Sequence, residues 1–306
     1  MKGKRIQYYF DYAANCEMCG ATTDDHLVLG QRLNQSQGLM PKRKNGITTT
    51  VMKCVHCGLV YANPQPIPYD IQDHYGIPPE NYWKPEYFEY DRNYFSGEIE
   101  RFKKITEFRP GMTALDVGAG LGKCMKSLEN AGFDVYGFEA SESFHQMAIE
   151  KMNVKAEKLK LAMIENVDYE PNFFDFITFG AVLEHLYHPG QYIELAMKWL
   201  KPGGLMHIEV PSSDYLMHRF INFYFKLIGT NYVTNISPMH EPFHLFEFTL
   251  TSFIEHSKRN NVYEISFHEY YVCSAEPFPR FTHPLLKKIM KMTDTGMQLA
   301  VWLKKL

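Results

Sequence analysis

The chain has 306 residues, 45% of them hydrophobic and 22% charged, with a formal net charge of -3. That length holds one full core and a smaller module, and the composition is that of a folded protein, which excludes a disordered or collagen-like chain. Both ends are basic, with eight Lys/Arg against four Asp/Glu in residues 1–62 and six against one in residues 280–306, so the middle is acidic; an acidic body argues against a nucleic-acid substrate, whose phosphates call for a cationic face.

The start, Met1-Lys2-Gly3-Lys4-Arg5, leads into aromatic and polar residues rather than the apolar segment of a secretory signal. No apolar run reaches the roughly 18 residues of a membrane-spanning helix, so no transmembrane segment is expected. The expected location is cytoplasmic.

Residues 1–63 carry four of the six cysteines as two matching corners, Cys16-Glu17-Met18-Cys19-Gly20 and Cys54-Val55-His56-Cys57-Gly58. Two residues between the thiols and a glycine after the second let backbone amides turn toward sulfur, so each corner offers two thiolates to one tetrahedral metal. The spacing predicts a structural zinc ion on Cys16, Cys19, Cys54 and Cys57, closed to substrate and acting on the fold. A disulfide does not suit a reducing cytosol, and a redox pair does not need the duplicate. Short strands are expected at 26–30 and 48–53, with a basic loop at 41–46 between them; His56 is read as a surface residue. Residues 64–98 are rich in proline and aromatics, including Tyr75, Tyr82, Trp83, Tyr87, Tyr90, Tyr94 and Phe95. They read as a linker that packs the modules together or caps a cofactor against water.

The main domain is expected over 99–280, entered by a helix at 98–108. A strand at 112–117 runs into Leu115-Asp116-Val117-Gly118-Ala119-Gly120-Leu121-Gly122, and a helix at 123–131 follows, with Met125, Leu128 and Ala131 at helical spacing. The glycines therefore sit on a strand-to-helix turn, where a parallel sheet opens a ligand crevice. The third glycine of the dinucleotide signature is out of place, and Asp116 stands two residues before Gly118. An acid there suits a cationic or hydroxyl-bearing ligand better than a pyrophosphate. The next strand, 134–139, delivers Glu139, placed to accept both hydroxyls of a ribose. A helix capped by Ser141 spans 141–152, a weak third strand 153–157 and a fourth strand 173–179. The loop Gly180-Ala181-Val182-Leu183-Glu184-His185 and the turn Pro202-Gly203-Gly204 precede a fifth strand ending at Pro211. An insertion at about 212–249 contains a long aromatic helix, 215–228, read as core or lid. Helix 250–258 and two antiparallel edge strands, 262–267 and 269–273, close the domain. Residues 281–306 read as a basic amphipathic tail, a docking or dimer helix.

Asp116, Gly118 and Gly120, then Glu139, the Val182-Leu183-Glu184-His185 loop and the Pro-Gly-Gly turn, taken in that order, resemble class I S-adenosylmethionine-dependent methyltransferases. The resemblance implies an α/β, doubly wound, seven-stranded Rossmann-like sheet with S-adenosyl-L-methionine as cofactor. It implies that the glycine loop lies under the methionine part, that Glu139 holds the ribose, and that Phe179 at the end of the fourth strand lies on the cofactor side. Glu157 and Asn166 both remain candidates for adenine. The cysteine corners, followed by Gly58-Leu59-Val60-Tyr61 and Asn63-Pro64-Gln65-Pro66, resemble the zinc-ribbon N-terminal part of bacterial sugar, polysaccharide and secondary-metabolite methyltransferases.

Methyl transfer to a hydroxyl needs a base, and histidine titrates in the right range. His244 opens a segment resembling His-x-x-x-Phe-Ser/Thr of sugar and small-molecule methyltransferases and is the first candidate; His185 is the second, with His240 and Glu241 assisting. His240-Glu241-x-x-His244 is not a zinc-protease helix, because Pro242 interrupts it. The expected activity is O-methylation of a small-molecule or saccharide-type acceptor. Two alternatives stand beside it. One is an RNA methyltransferase gripping nucleic acid through Arg32, Lys42, Arg43 and Lys44; the other is a scaffold that kept the fold and lost catalysis.

Overall fold

The computed structural model describes residues 6–33, 48–75 and 88–306. The predicted basic loop with Lys42, Arg43 and Lys44, and Tyr82, Trp83 and Tyr87 of the aromatic stretch, lie outside the described residues.

The N-terminal part contains β1 (Tyr8–Asp11), β2 (Leu27–Leu33), β3 (Thr48–Lys53), β4 (Val60–Ala62), β5 (Gln65–Pro68) and a short α1 (Gln72–Tyr75). β2, β3 and β4 form an antiparallel meander, and β1 pairs with β5. Next come α2 (Ser96–Ile105), β6 (Thr113–Val117), α3 (Lys123–Asn130), β7 (Asp134–Glu139), α4 (Glu142–Met152), β8 (Leu159–Leu161), β9 (Phe174–Gly180), α5 (Pro189–Trp199) and β10 (Leu200–Pro211). The chain continues through α6 (Leu216–Leu227), β11 (Phe246–Glu247), α7 (Leu250–Asn260), β12 (Tyr263–Tyr271), α8 (His283–Met292) and β13 (Gln298–Lys305).

Seven strands form one sheet in the order β12-β13-β10-β9-β6-β7-β8. The strands from β8 to β10 run parallel, and β13 runs antiparallel to both its neighbours. This is the expected doubly wound α/β fold. Runs such as Phe174-Asp175-Phe176-Ile177-Thr178-Phe179 are apolar on both faces because helices cover both sides of the sheet. From β6 the chain moves to β7 on one side and later to β9 on the other. Such a reversal leaves a crevice at the C-terminal ends of the strands.

Three expectations fail, each for a visible reason. The third strand is not at 153–157. Asn153 takes a left-handed conformation (φ 54°) that ends α4, a 3-10 turn at Ala156–Lys158 follows, and β8 starts only at Leu159. The two short edge strands are instead one, β12, whose pairing shifts between Ile265 and Phe267 and so disturbs its alternation. Residues 281–306 are not a tail: α8 occupies the first part, but Gln298–Lys305 forms β13, inserted between β10 and β12. Leu299, Ala300, Val301, Trp302 and Leu303 are all buried, and such a run fits a buried strand as well as a helix. The main domain therefore continues past residue 280 to β13.

The boundary at residue 63 is not a gap in the packing. Cys16, Met18, Cys54, Cys57 and Leu59 share one apolar cluster with Leu115, Val117 and Ile177 of the large sheet. From the insertion, β11 adds itself to β4, with Phe246 opposite Tyr61. The insertion is thus also the outer strand of the N-terminal sheet.

Candidate cofactor and acceptor site

The two cysteine corners close identically. Gly20 N–H donates to the Cys16 carbonyl at 2.9 Å and Cys16 N–H to that of Ala21 at 2.8 Å; Gly58 N–H donates to Cys54 and Cys54 N–H to Leu59, both at 2.9 Å. Cys16 Sγ lies 3.6 Å from Cys57 Sγ and Cys19 Sγ 3.5 Å from Cys54 Sγ, and all four sulfurs are within 4.8 Å of one another. Zinc–sulfur bonds of ~2.3 Å set tetrahedral thiolates roughly 3.8 Å apart, so these residues fit that ion. Thr249, the N-cap of α7, donates through Oγ1 to the Cys57 carbonyl at 2.5 Å and accepts from Ser252 N–H at 2.9 Å, which ties the second corner to the main domain.

At the C-terminal rim of the sheet, Gly118 has φ 64°, and a Cβ there would lie 2.7 Å from Val182 Cγ2; only glycine lets the loop after β9 come this close. Gly120 has φ 53°, but a Cβ there would meet nothing within 4 Å, so it presents bare backbone to open space. Glu139 is held by two amides: Gly120 N–H donates to Oε2 at 2.7 Å and Ser141 N–H to Oε1 at 2.8 Å. Ser141 caps α4 as expected, and its Oγ also donates to the Tyr75 carbonyl at 2.6 Å. Gln72 Nε2 donates to the Ala140 carbonyl at 2.8 Å. Through these bonds α1 is fastened over the end of β7.

Asp116 is only 4% exposed, and its Oδ2 has no hydrogen-bond partner among the described residues. Burial, reinforced by Glu139, pushes its carboxyl up to about 7. Burial also raises Glu139, against the pull of the Ser141 and Gly120 amides. A buried acceptor in need of a donor, beside bare glycine backbone and a rigid carboxylate, fits the cationic amino-acid end and the ribose of S-adenosylmethionine. Phe179 does not belong to this set: its side chain is 0% exposed, inside the core cluster below the rim. Along β9 it is Gly180 that emerges exposed. Of the two adenine candidates, Asn166 follows the C-terminal end of β8, whereas Glu157 precedes that strand and so lies toward its opposite end.

The histidines converge. His244 lies in the segment before β11 and His185 in the loop after β9, and their rings are 4.9 Å apart. His185 Nδ1 donates to the Phe243 carbonyl at 3.3 Å, and the Ala181 backbone also contacts the ring. His244 Nε2 faces Glu184 Oε1 at 3.7 Å, and Glu184 Oε2 is buried with no partner among the described residues. Burial lowers His185 to about 4 and His244 well below its ordinary range, the neighbouring His185 ring adding to the effect on His244; Glu184 is raised to about 8 by burial. Ala181 and Phe243, flanking the pair, both hold left-handed backbone (φ 56° and 64°), a strain that collects at functional sites. The Tyr75 ring stands edge-on to His185 at 5.8 Å, which brings the aromatic linker to the site.

His240 does not join the pair. Arg32 donates to its Nε2 at 3.2 Å, and burial with that cation holds it down at about 4. Arg32, named for the nucleic-acid alternative, is itself buried at 7% exposure and directed inward. Glu184 is the functional residue that motif spacing does not single out; its place next to His185 on a rim loop is the signal the sequence carries for it. Glu98, His207 and Glu209 form a further compact polar group, their ligand atoms within 4.8 Å, that no motif announced. A cleft of about 280 Å³ between the first cysteine corner and α5, lined among others by Glu17, His188 and Arg259, contains none of the rim residues.

The methyltransferase-domain family model matches residues 87–256, more than half of the chain. The chain belongs to this family. It carries an S-adenosylmethionine-dependent methyltransferase domain, as the glycine turn and Glu139 led one to expect. It is 27% identical over 130 residues to phosphoethanolamine N-methyltransferase 2 of Caenorhabditis elegans, covering 41% of this chain and 29% of that one. It is likewise 27% identical over 143 residues to the mitochondrial ubiquinone biosynthesis O-methyltransferase of Dictyostelium discoideum, covering 42% and 43%. These curated relatives are thus matched over less than half their length. A Listeria monocytogenes structure described as an S-adenosylmethionine-dependent methyltransferase superposes with TM-score 0.49 at 17% identity, over 71% of this chain and all of that one.

Proposed function

We propose that this protein transfers a methyl group from S-adenosylmethionine to a hydroxyl of a small-molecule or saccharide-type acceptor, with His244 as base. The observation that supports the reading is the meeting of Glu184, His185 and His244 at the loop that touches Gly118. When bound, the cofactor supplies an electrophilic methyl on a sulfonium. Asp116 and Glu139 bind its cationic and ribose parts. His244, neutral because it is buried, takes the acceptor's proton, and Glu184 Oε1, 3.7 Å from Nε2, is the group placed to orient that ring. His185 and Tyr75 wall the site against water. Oxygen is favoured as the receiving atom because a hydroxyl is a weak nucleophile until its proton is removed, and the two imidazoles stand together where a base is needed. The four cysteines hold zinc as a structural ion, in a reducing, cytoplasmic setting.

The test is a screen of nucleotide sugars and small hydroxylated acceptors with the wild type and His244→Ala. The variant should bind S-adenosylmethionine normally and transfer roughly 100-fold more slowly or worse. Undiminished turnover would remove His244 from the role. The nucleic-acid alternative loses Arg32 as a surface contact, and RNA belongs in the same screen as its direct test.

A further inference from the structure

Two helices carry more apolar surface than the core uses. In α6, Met217, Ile221 and Phe225 recur every four residues and are buried. Beside that ridge runs a second apolar stripe, Phe220, Phe223, Tyr224 and Leu227, spaced i, i+3, i+4, i+7 and left exposed, with Leu227 at 68%. α8 repeats the arrangement: Leu286 and Met290 pack inward, while Leu285, Ile289 and Met292 form an exposed stripe, Met292 at 74%. Phe281, just before α8, is 85% exposed. The helices adjoin, since Tyr215, Met217 and Met290 share one small cluster and the Phe220 ring meets Phe278 at 5.4 Å.

The charges around this surface have one predominant sign. α8 contains no acid, and Lys288 and Lys291 lie along the edge of its exposed stripe, with Arg280 preceding it and Lys226 exposed on α6. Asp214 is engaged by Arg219 at 2.7 Å; Glu276 and Asp294 are the other acids nearby in sequence. Apolar stripes with lysines at their border suit a bilayer interface, where the rings enter the headgroup layer and the ammonium groups reach lipid phosphates. No helix among the described residues is long and apolar enough to cross a membrane, so the mode is surface contact.

Topology places the surface at the mouth of the site. α6 follows the C-terminal end of β10; β12 ends and β13 begins at the same rim, with α8 between them. That is the end of the sheet where Gly118, Glu139 and His185 lie. We propose that the α6–α8 face docks on an anionic lipid surface and holds the catalytic rim next to it. For the function proposed above, and resting on it, the acceptor is one presented at a bilayer.

The experiment is co-sedimentation of the full chain with vesicles of phosphatidylcholine alone or with about 30% phosphatidylglycerol, at low and high salt. The wild type should bind the anionic vesicles roughly tenfold or more tightly than the neutral ones, less so in high salt. Phe223→Ser with Leu227→Ser, and separately Lys288→Glu with Lys291→Glu, should each weaken binding about tenfold. These exposed positions leave the fold intact, which S-adenosylmethionine calorimetry on each variant checks. Failure of the wild type to sediment with anionic vesicles, or binding indifferent to both double variants, overturns the proposal. A dimer in light scattering that the serine variants dissolve, with no vesicle binding, assigns the face to a second copy and overturns it as well. Because binding is read without an acceptor, its failure is distinct from failure of the methyl-transfer reading.

Discussion

At the cysteine corners the peptide groups beside the sulfurs are engaged in duplicate, Cys16 with Gly20 and Ala21, Cys54 with Gly58 and Leu59. At the rim, Asp116 and Glu184 each keep a buried oxygen without a partner among the described residues. Both places are buried and polar, yet one has its backbone donors turned inward on itself while the other retains buried acceptors that are unmet among the described residues. A buried polar group left unmet costs about 1–3 kcal/mol, a cost that a ligand supplying the missing donor would offset. On the proposed reading, the first arrangement would serve folding and the second would serve binding.

The sharpest way to break this contrast is Cys54→Ser. If the corners are structural, the variant should lose its zinc by atomic absorption and much of its stability, on the order of the ~5–15 kcal/mol that keeps a domain folded, seen as loss of a cooperative melt. A metal-free variant that melts normally would place the corners outside folding. On the rim, Glu139→Ala should keep the fold and weaken S-adenosylmethionine binding by roughly 1–3 kcal/mol, read by calorimetry; unchanged affinity would contradict its assignment to the ribose.

Asp116 sharpens the contrast through pH. Its folded-state value of about 7 lies above the ordinary carboxyl range, so the unliganded fold holds its proton more tightly than the unfolded chain. Its stabilising contribution is complete below about pH 4 and is lost as pH rises to about 7. Binding of a cationic ligand follows the opposite course, because it needs the ionised form, and affinity should rise about tenfold between roughly pH 6 and 8. Asp116→Asn should flatten both curves in melting and calorimetric titrations. The smallest effect is expected for Thr249→Ala, which removes the cap of α7 and its bond to Cys57 and should cost about 1–2 kcal/mol of stability in denaturant melts.

What could be read from the sequence was what is local. Asp116, Gly118, Gly120 and Glu139 lie in one strand–turn–helix–strand unit, where spacing alone fixes which residues reach the rim. Ser141 as a cap and the two cysteine corners are legible for the same reason. Phe179 was misplaced because strand alternation decides which side chains leave the core, and two apolar faces hide that alternation. The approach of His244 to Glu184 depends on Leu245 N–H donating to the Glu184 carbonyl at 2.8 Å, a contact between distant segments that periodicity does not encode. The burial of Arg32 against His240 and the entry of β13 into the sheet belong to the same class, since each is settled by what lies across the fold.

The pairing of β4 with β11 also bears on how such a protein is assembled from parts. The N-terminal sheet borrows its outer strand from beyond β10, and the second cysteine corner leans on Thr249. A single cut near residue 63 would leave one fragment short of a strand and the other with apolar surface newly wet. A cysteine-bearing head of this kind is therefore neither gained nor shed by end-to-end fusion; the returning segment has to accompany it.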